Sequence, residues 1–239
     1  ELASNNIEGM SRNSFEIRHI KTTGDVKNSE RLDQIGGKGL FIKEIEEHIL
    51  SGDVDLGIHS MKDMPYETHE DLEVICFLPR FDSSDVLISN SGKTLKNLKT
   101  GSVVGTSSIR RRAQILSCRK DLSIKLLRGN VDTRLKKLDN GEYDAIILAE
   151  AGLKALDIRR TTLRIPIIPA VGQGIIALQT RSNDSTVIDI VKKANHKKTF
   201  AQGQIERAFL KGIGGDCHTK IAGHATGTNP ISLKAMYYD

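Results

Sequence analysis

Short clusters of basic, hydroxyl and acidic side chains recur along this 239-residue chain where apolar segments end. They are "HSMKD" at residues 59–63, "TSSIRRR" at residues 106–112 and "RGN" at residues 128–130. Guanidinium groups bind carboxylates through forked pairs of N–H donors, and hydroxyl groups add hydrogen bonds to the same ligands. The clusters therefore indicate a site for an anionic ligand.

In the second cluster, Thr106, Ser107 and Ser108 precede a predicted helix whose first turn contains Arg110 and Arg111. Hydroxyl side chains cap the free N–H groups at a helix start, and the helix dipole attracts anions to the same end. The residues fit two interpretations. One is an anion site, and the other is a capped helix with a solvated basic face.

The third cluster repeats this pattern at the next predicted strand end. Gly129 lets an anionic ligand approach the backbone closely, because glycine has no side chain. Arg128 and Arg134 lie six residues apart and could flank one ligand or two. The alternative is surface charge near a turn, but two such clusters in one half of the chain favour ligand binding.

Asp63 and Cys217 are the candidates for proton chemistry and covalent chemistry. Asp63 stands among basic groups at a predicted strand end, either as an ion-pair partner or as a general acid or base. Cys217 lies in the Gly-rich stretch "GGDCH", which favours an accessible thiol over a small apolar filler. His218 favours the thiolate and Asp216 opposes it, so the reactivity of this thiol stays open.

Composition narrows the class of protein. The three cysteines lack regular spacing and no CxxC or HExxH pair occurs, so we expect neither a disulfide framework nor a metal. The net charge of +5 indicates an anionic partner, whereas 4% aromatic residues and no Trp disfavour a nucleic-acid binder. No apolar run approaches the ~20 residues that span a membrane.

The first residues lack the basic start and the apolar stretch of a signal peptide, so we expect a cytoplasmic protein. We expect it to be a monomer.

Apolar periodicity predicts the elements that position these clusters. Helices are predicted at residues 41–50, 109–117, 131–138 and 199–211, and strands at residues 54–59, 102–105, 124–127 and 143–149. This alternation predicts an α/β fold of parallel sheets with helices on both faces. Ligands of such sheets bind at the carboxyl ends of strands, where the polar clusters lie.

A short internal repeat indicates two similar lobes. "SGDVDLGI" at residues 51–58 and "NGEYDAII" at residues 140–147 share a small residue, Gly, an acid, Asp and Ile at matching positions. Each joins a predicted helix to a predicted strand. The Pro- and Gly-rich residues 166–174 then mark a crossing between the lobes.

A longer pattern resembles the porphobilinogen deaminase family over roughly residues 15–225. Its stretches follow the family's order: "GGKGLFIKEIE", "HSMKDMP", "VGTSSIRRRAQ", "LLRGNVDTRL", "DNGEYDAIILAEAGL", "PAVGQG" and "GGDCHT". The resemblance implies two similar periplasmic-binding-protein-like lobes plus a small α/β C-terminal domain. Domain 1 is expected at residues 1–80 and 173–195, domain 2 at 84–168, and domain 3, shorter than in the family, at 197–239.

The resemblance also implies an activity, that of a transferase of tetrapyrrole (haem) biosynthesis. Such an enzyme condenses four porphobilinogen molecules head-to-tail on a covalent dipyrromethane cofactor, releases ammonia and hydrolyses the product to hydroxymethylbilane. Cys217 matches the cysteine that holds the cofactor by a thioether. Asp63 matches the catalytic carboxylate, which assists the departure of ammonia and stabilises the resulting azafulvene cation through the pyrrole N–H.

Every porphobilinogen carries an acetate and a propionate group, so a growing chain of rings brings many negative charges into one cleft. The resemblance implies cofactor contacts at Cys217, Ser60, Lys62, Thr106, Ser107, Ser108, Arg110, Arg111, Arg128, Gly129, Ala149, Gly152 and Gln173. It implies substrate contacts at Lys38, Phe41, Arg128 and Arg134, with Phe41 packing against a pyrrole ring.

The chain departs from the family pattern at two places. The family opens with a strand ending in Arg-x-Ser-x-Leu-Ala, whose Arg and Ser have no match here and of which Glu1-Leu2-Ala3 could be a remnant. Ala155 stands where the family often has Arg. Two other functions remain open. A non-catalytic two-lobe binder of small anionic ligands needs neither Asp63 nor Cys217, and a nucleic-acid binder would use residues 110–112 with strong salt dependence.

Overall fold

The computed structural model describes residues 15–23, 42–214 and 220–238. Lys38, Phe41 and Cys217 lie outside these ranges. The helices are α1 Lys43–Leu50, α2 Ile109–Cys118, α3 Val131–Asp139, α4 Glu150–Ala155, α5 Ser185–Val191 and α6 Lys197–Gly212. The strands are β1 Gly57–Ser60, β2 Leu72–Phe77, β3 Asp85–Ile88, β4 Val103–Gly105, β5 Ser123–Lys125, β6 Ala145–Ala149, β7 Leu163–Arg164, β8 Ile176–Arg181, β9 Ile221–Gly227 and β10 Ile231–Tyr237.

These elements form two lobes and a smaller C-terminal unit. The first lobe has a three-stranded sheet of order β1-β8-β2, and the second has a five-stranded sheet of order β5-β4-β6-β3-β7. The C-terminal unit is the β9–β10 hairpin packed on α6. The predicted α/β fold with two lobes and a small third part is confirmed, whereas the exact domain boundaries stay a prediction.

Helices cover both faces of the five-stranded sheet, as predicted. On one face, Leu87 and Ile147 pack with Ile115 of α2. On the other face, Val86 and Ile146 pack with the buried leucines of α3 and α4, which are Leu135, Leu138 and Leu153. Successive residues of β3 and β6 therefore serve opposite faces, which explains why both strands are apolar throughout.

The prediction of parallel sheets is wrong in part. β4 runs parallel to β5 and β6, but β3 is antiparallel to β6, and β8 is antiparallel to β1 and β2. The reversed strands, β3 and β8, are the ones that begin directly after the chain crosses between lobes, along residues 78–84 and 166–175. A strand that enters a sheet from the other lobe runs against its locally connected neighbours.

The internal repeat of the sequence is a repeated turn in the structure. Gly52 after α1 and Gly141 after α3 have φ of 80° and 78°, a conformation that glycine adopts without steric cost. Oδ1 of Asp55 accepts a hydrogen bond from Arg181 of β8, and Oδ2 of Asp144 accepts one from the backbone N–H of Val103 in β4. In each lobe, this turn ties a helix end to the neighbouring strand.

A buried carboxylate joins the C-terminal unit to both crossing segments. Glu206 of α6 accepts hydrogen bonds from Nη1 of Arg80 at 2.6 Å and from the backbone N–H groups of Gly172 and Ala225, both at 2.7 Å. Burial alone would raise the pKa of Glu206, but the neighbouring His224 side chain and the hydrogen bonds from Arg80 hold it below its ordinary value. Crossing residues 78–84 and 166–175 are therefore fixed to one another through α6.

Among residues 15–23, 42–214 and 220–238, no helix is long and apolar enough to cross a bilayer.

His59 of β1 is buried beneath α1, with only 4% of its surface exposed. An added Cβ at Gly57 would lie 2.7 Å from Nε2 of His59 and 2.7 Å from Cδ1 of Ile49, so the glycine makes room for the imidazole ring. Burial lowers the pKa of His59 from 6.5 to about 4 and outweighs the opposing effect of the neighbouring Gln179 side chain. The folded protein therefore keeps this imidazole neutral.

We expect the free energy of unfolding to fall as the pH drops from about 6.5 to about 4, because the unfolded chain binds a proton at His59 and the folded chain does not. The loss from this one group reaches about 3 kcal/mol near pH 4. Urea unfolding of the parent and of His59→Gln across this pH range measures the difference. A Ser91→Ala control, at an exposed site without a titratable group, should keep the parent's slope. Equal slopes for the parent and His59→Gln would contradict the expectation.

Candidate functional site

Three polar segments, each following the carboxyl end of a strand, meet in the cleft between the lobes. Met61–Asp63 forms a 3₁₀ turn after β1, Thr106 follows β4, and Arg128 comes shortly after β5. The charge of Lys62 interacts with Asp63, Asp85, Arg110 and Arg111, and the charge of Arg134 interacts with Asp63, Arg111 and Arg128. The structure therefore brings the Lys62 and Asp63 turn of the first lobe to the arginines of the second.

The turn that presents Lys62 and Asp63 is held by buried methionines on either side. Met61 and Met64 belong to an apolar cluster with Ile42, Phe77 and Ile175, whereas Lys62 and Asp63 stay half-buried. The backbone N–H of Met61 donates to the carbonyl of Ile175 at 3.0 Å. This fixes the turn to the second crossing segment, so its polar residues have a defined position in the cleft.

Burial lowers the pKa of Lys62, and the neighbouring Arg111 and Arg110 lower it further against the opposing effect of Asp63 and Asp85. A carboxylate ligand beside Lys62 would favour its protonated form. Anion binding at this position would therefore offset the effect of burial on the pKa of Lys62.

Helix α2 begins with side-chain caps. Oγ1 of Thr106 accepts a hydrogen bond from the N–H of Ser108 at 3.2 Å, and Oγ of Ser108 accepts one from the N–H of Arg111 at 3.3 Å. Ser107 is half-buried between them. The capping interpretation of this cluster thus describes Thr106 and Ser108, and ligand binding by all three hydroxyl groups stays a prediction.

Arg110 and Arg111 both bind Asp85, a fully buried carboxylate at the start of β3. Nη2 of Arg110 lies 2.8 Å from Oδ2, and Nη2 of Arg111 lies 2.7 Å from Oδ1. Burial raises the pKa of Asp85, but the charges of Arg111 and Arg110 outweigh this effect and lower it. Asp85 therefore remains ionised and leaves this group of three residues with a net positive charge.

Asp85 is a residue of the site that the sequence patterns did not indicate. A possible signal is an acidic residue heading the short apolar stretch "DVLI", because a charge within a buried strand requires a partner. The sequence could not identify that partner, since the arginines come from a separate helix.

Arg128, Gly129 and Arg134 form the far side of the cluster. Gly129 has a φ of 109°, and an added Cβ would lie 2.7 Å from Cγ2 of Thr133. The carbonyl of Gly129 accepts a hydrogen bond from Nε of Arg134 at 2.6 Å. Burial lowers the pKa of Arg134 to about 10, assisted by Arg111 and opposed by Asp63. The glycine is thus required by the backbone and by Thr133, and its role toward a ligand stays a prediction.

The remaining predicted contacts differ in their surroundings. Ala149 ends β6 and precedes α4, and an added Cβ at Gly152 would meet no heavy atom within 4 Å. Nε2 of Gln173 donates to the carbonyl of Ser83 at 2.6 Å and to Oδ1 of Asp85 at 3.0 Å. Gly152 therefore borders open space, whereas Gln173 belongs to the buried network around Asp85.

The described part of the site fits a ligand with several carboxylates. Four cations, which are Lys62, Arg110, Arg111 and Arg134, interact with two carboxylates, Asp63 and Asp85, and the charge of Arg128 acts on Arg134. The described residues contain no group of three or more His, Cys, Asp or Glu side chains that could hold a metal ion. The excess of positive charge suits an organic polyanion such as dipyrromethane.

Comparison with known proteins identifies close relatives. Residues 1–189 match the family model "Porphobilinogen deaminase, dipyromethane cofactor binding domain". The chain is 46% identical over 220 residues to a porphobilinogen deaminase of Exiguobacterium sp., covering 90% of this chain and 72% of that protein. It is 45% identical over 226 residues to one from Francisella tularensis subsp. holarctica, covering 92% and 75%.

Among solved structures, a substrate binding domain of a putative amino acid ABC transporter from Streptococcus pneumoniae is 18% identical. It aligns with 72% of this chain and 73% of its own, with a TM-score of 0.42.

Proposed function

The chain belongs to the porphobilinogen deaminase family, and we propose that the cation cluster in its cleft binds the acetate and propionate groups of porphobilinogen and of the dipyrromethane cofactor. The enzyme is a transferase of tetrapyrrole biosynthesis. It condenses four porphobilinogen molecules head-to-tail, releases ammonia and hydrolyses the product to hydroxymethylbilane.

The observation that carries this proposal is the excess of cations over carboxylates in the cluster. Among the described residues, four cations from both lobes, Lys62, Arg110, Arg111 and Arg134, share their electrostatic field with two carboxylates. Like charges at this density repel one another unless anions offset them. Ligand carboxylates supply those anions, and each ring that enters adds two more.

Dipyrromethane supplies, when bound, the terminal pyrrole carbon to which substrate is added. We assign its contacts to Lys62, Arg110 and Arg111, with Ser60, Thr106, Ser107 and Ser108 donating hydrogen bonds and Ala149, Gly152, Gly129 and Gln173 shaping the space around the rings. Arg128 and Arg134 bind carboxylates of the incoming substrate. We also assign substrate contacts to Lys38 and Phe41, which lie outside the described residues.

Asp63 is the residue that we assign to the chemical step. Its half-buried carboxylate, in the ionised form, lies within the fields of Lys62 and Arg134. In that form it accepts a hydrogen bond from the pyrrole N–H and stabilises the cation that remains when ammonia leaves. It then helps to remove the proton of the attacked carbon.

We also propose that the protein is a cytoplasmic monomer whose partner is a small anionic molecule. Cys76 and Cys118 are free thiols, which fits a reducing, cytoplasmic compartment. The cation cluster is assembled from two lobes of one chain, which is consistent with a monomer. The aromatic-poor composition and the depth of the arginines in the cleft support a small anionic substrate rather than nucleic acid or a membrane surface.

The test of this function is the covalent cofactor on Cys217. We expect the intact mass of the purified protein to exceed the chain mass by one dipyrromethane, and peptide mapping to place the adduct on Cys217. Cys217→Ser should lose the added mass and the activity together. Cys76 is a poor acceptor, because burial raises the pKa of its thiol to about 11.

Cys118 provides the matched control, since it is a free thiol exposed on α2. Cys118→Ser should keep the added mass. A bare chain mass in the parent protein would instead favour the alternative function, a non-catalytic binder of small anionic ligands. An adduct on Cys118 or Cys76 would refute the assignment of Cys217.

A further inference from the structure

We propose that Asp85 is a positioning residue of this site, which orients Arg110 and Arg111 toward the ligand and fixes them to the segments that cross between the lobes. This inference rests on the proposed function. It assigns a role to a carboxylate that does not itself have to touch substrate or cofactor.

The contacts of Asp85 define the direction of both guanidinium groups. Oδ1 accepts a hydrogen bond from Nε of Arg111 at 2.9 Å and lies 2.7 Å from Nη2 of the same residue, and Oδ2 lies 2.8 Å from Nη2 of Arg110. Each arginine has a second anchor on a backbone carbonyl. Nη1 of Arg110 donates to Ile168 at 2.6 Å, and Nη1 of Arg111 donates to Ile147 at 3.1 Å.

These anchors leave donors for a ligand. A guanidinium group has five N–H bonds, and the hydrogen bonds above use two in Arg111 and one in Arg110, beside one ion-pair contact of each with Asp85. Because the planes of both groups are fixed from two sides, the directions of the remaining N–H bonds are fixed as well. The arginines are therefore arranged for a ligand before one binds, which lowers the entropy cost of binding.

The charge balance argues that Asp85 does more than stabilise the fold. Two arginines bind the one buried aspartate, so their combined charge exceeds that of the carboxylate. One positive charge is left without a protein anion in this group of three, and a ligand carboxylate offsets it. Asp85 thus makes it possible to bury two neighbouring arginines and still leave one charge for the ligand.

The same carboxylate connects the arginines to both crossing segments. Asp85 directly follows residues 78–84, and Nε2 of Gln173, from residues 166–175, bridges its Oδ1 and the carbonyl of Ser83. Nε of Arg80 in turn donates to the carbonyl of Gln173 at 3.0 Å. A change in the angle between the lobes therefore moves the anchor of the arginines.

The test removes the charge of Asp85 and keeps its shape. In Asp85→Asn, an amide nitrogen at the position of Oδ2 would face Nη2 of Arg110, donor against donor. At the position of Oδ1 it would face Nε of Arg111 in the same way. We expect binding of porphobilinogen to weaken about tenfold, the net value of one charged hydrogen bond. Calorimetry in a Cys217→Ser background, which lacks the covalent cofactor, measures binding without turnover. In the protein with Cys217 intact, KM should rise more than kcat falls.

Two comparisons separate positioning from a general loss of stability. Asp85→Glu keeps the charge and should bind within about threefold of the parent, a loss well below that of one charged hydrogen bond. Asp139→Asn removes an aspartate of α3 that pairs with Arg160 on the surface, and should leave binding unchanged. In a double-mutant cycle, Asp85→Asn should weaken binding little further once Arg111 is Lys, because both changes remove the same arrangement.

The outcomes distinguish this inference from the proposed function. If the parent shows no dipyrromethane mass and binds no porphobilinogen, the function fails. If the parent does both and Asp85→Asn binds equally well, or the effects of Asp85→Asn and Arg111→Lys add, the positioning role is refuted. Should Asp85→Asn not fold, Gln173→Leu removes the amide bond to Oδ1, and an unchanged affinity in that variant refutes the role as well.

Discussion

Asp63→Asn is expected to lower kcat by about a hundredfold or more, while the protein still carries its cofactor and binds porphobilinogen. Asparagine keeps the shape of the side chain and removes its charge. The 3₁₀ turn should persist, because it is held by buried Met61 and Met64 and by the hydrogen bond from Met61 to Ile175, none of which involves the carboxylate.

The size of this effect follows from when the carboxylate acts. Before ammonia leaves, Asp63 is one carboxylate among several cations and contributes little to the binding of substrate. Once the pyrrolic cation forms, the carboxylate faces a positive charge in a half-buried cleft, where such an interaction is stronger than in water. Its loss therefore raises the barrier more than it weakens the binding of substrate.

The measurement is single-turnover and steady-state kinetics on protein whose intact mass shows the cofactor. Asp71→Asn is a suitable control, since Asp71 is an exposed aspartate of the same lobe. It should retain the parent's kcat. Near-normal turnover by Asp63→Asn, with the cofactor present, would show that Asp63 is an ion-pair partner only.

Local patterns in the sequence predicted much of the fold. Helices α2 and α3 were predicted within one residue of their observed ends, because each has a clear apolar periodicity. The strand predicted at residues 54–59 begins instead at Gly57, since residues 51–56 form the turn that contains Gly52. Apolar residues that lead into a strand cannot be distinguished from the strand itself by composition.

The position of the site could be predicted from the sequence, but the ion pairs between its residues could not. Polar clusters after strands indicated the cleft, because ligands of open α/β sheets bind at carboxyl strand ends. The pairing of Arg111 with Asp85 spans 26 residues, and that of Arg80 with Glu206 spans 126. Such contacts depend on how the lobes pack. A buried acid in an apolar stretch signals that a partner exists and does not say which one.

The hydroxyl residues before α2 show how two interpretations of one motif can both hold. Thr106 and Ser108 accept backbone hydrogen bonds at the helix start through their side-chain oxygens, and a hydroxyl group that accepts in this way keeps its own hydrogen for donation. A cap uses the hydroxyl oxygen as an acceptor, and a carboxylate ligand requires a donor. Capping therefore orients the hydroxyl groups without consuming the hydrogen that an anion would accept.

The largest expected effect on stability is at Glu206. Glu206→Leu removes the carboxylate that binds Arg80, Gly172 and Ala225, and leaves a buried guanidinium group without its counter-ion. We expect the free energy of unfolding to fall by about 3–5 kcal/mol. Because Glu206 joins α6 to both crossing segments, the loss should appear in the cooperative unfolding of the whole chain.

Urea unfolding of four proteins measures this loss and assigns it: the parent, Glu206→Leu, Arg80→Met and the double variant. The double variant should be more stable than either single variant, because it buries no unpaired charge and replaces the ion pair with apolar side chains of similar size. Glu142→Gln, at an exposed site, should leave stability nearly unchanged. If instead the losses from Glu206→Leu and Arg80→Met simply add, Glu206 stabilises the junction through Gly172 and Ala225, and the ion pair with Arg80 contributes little.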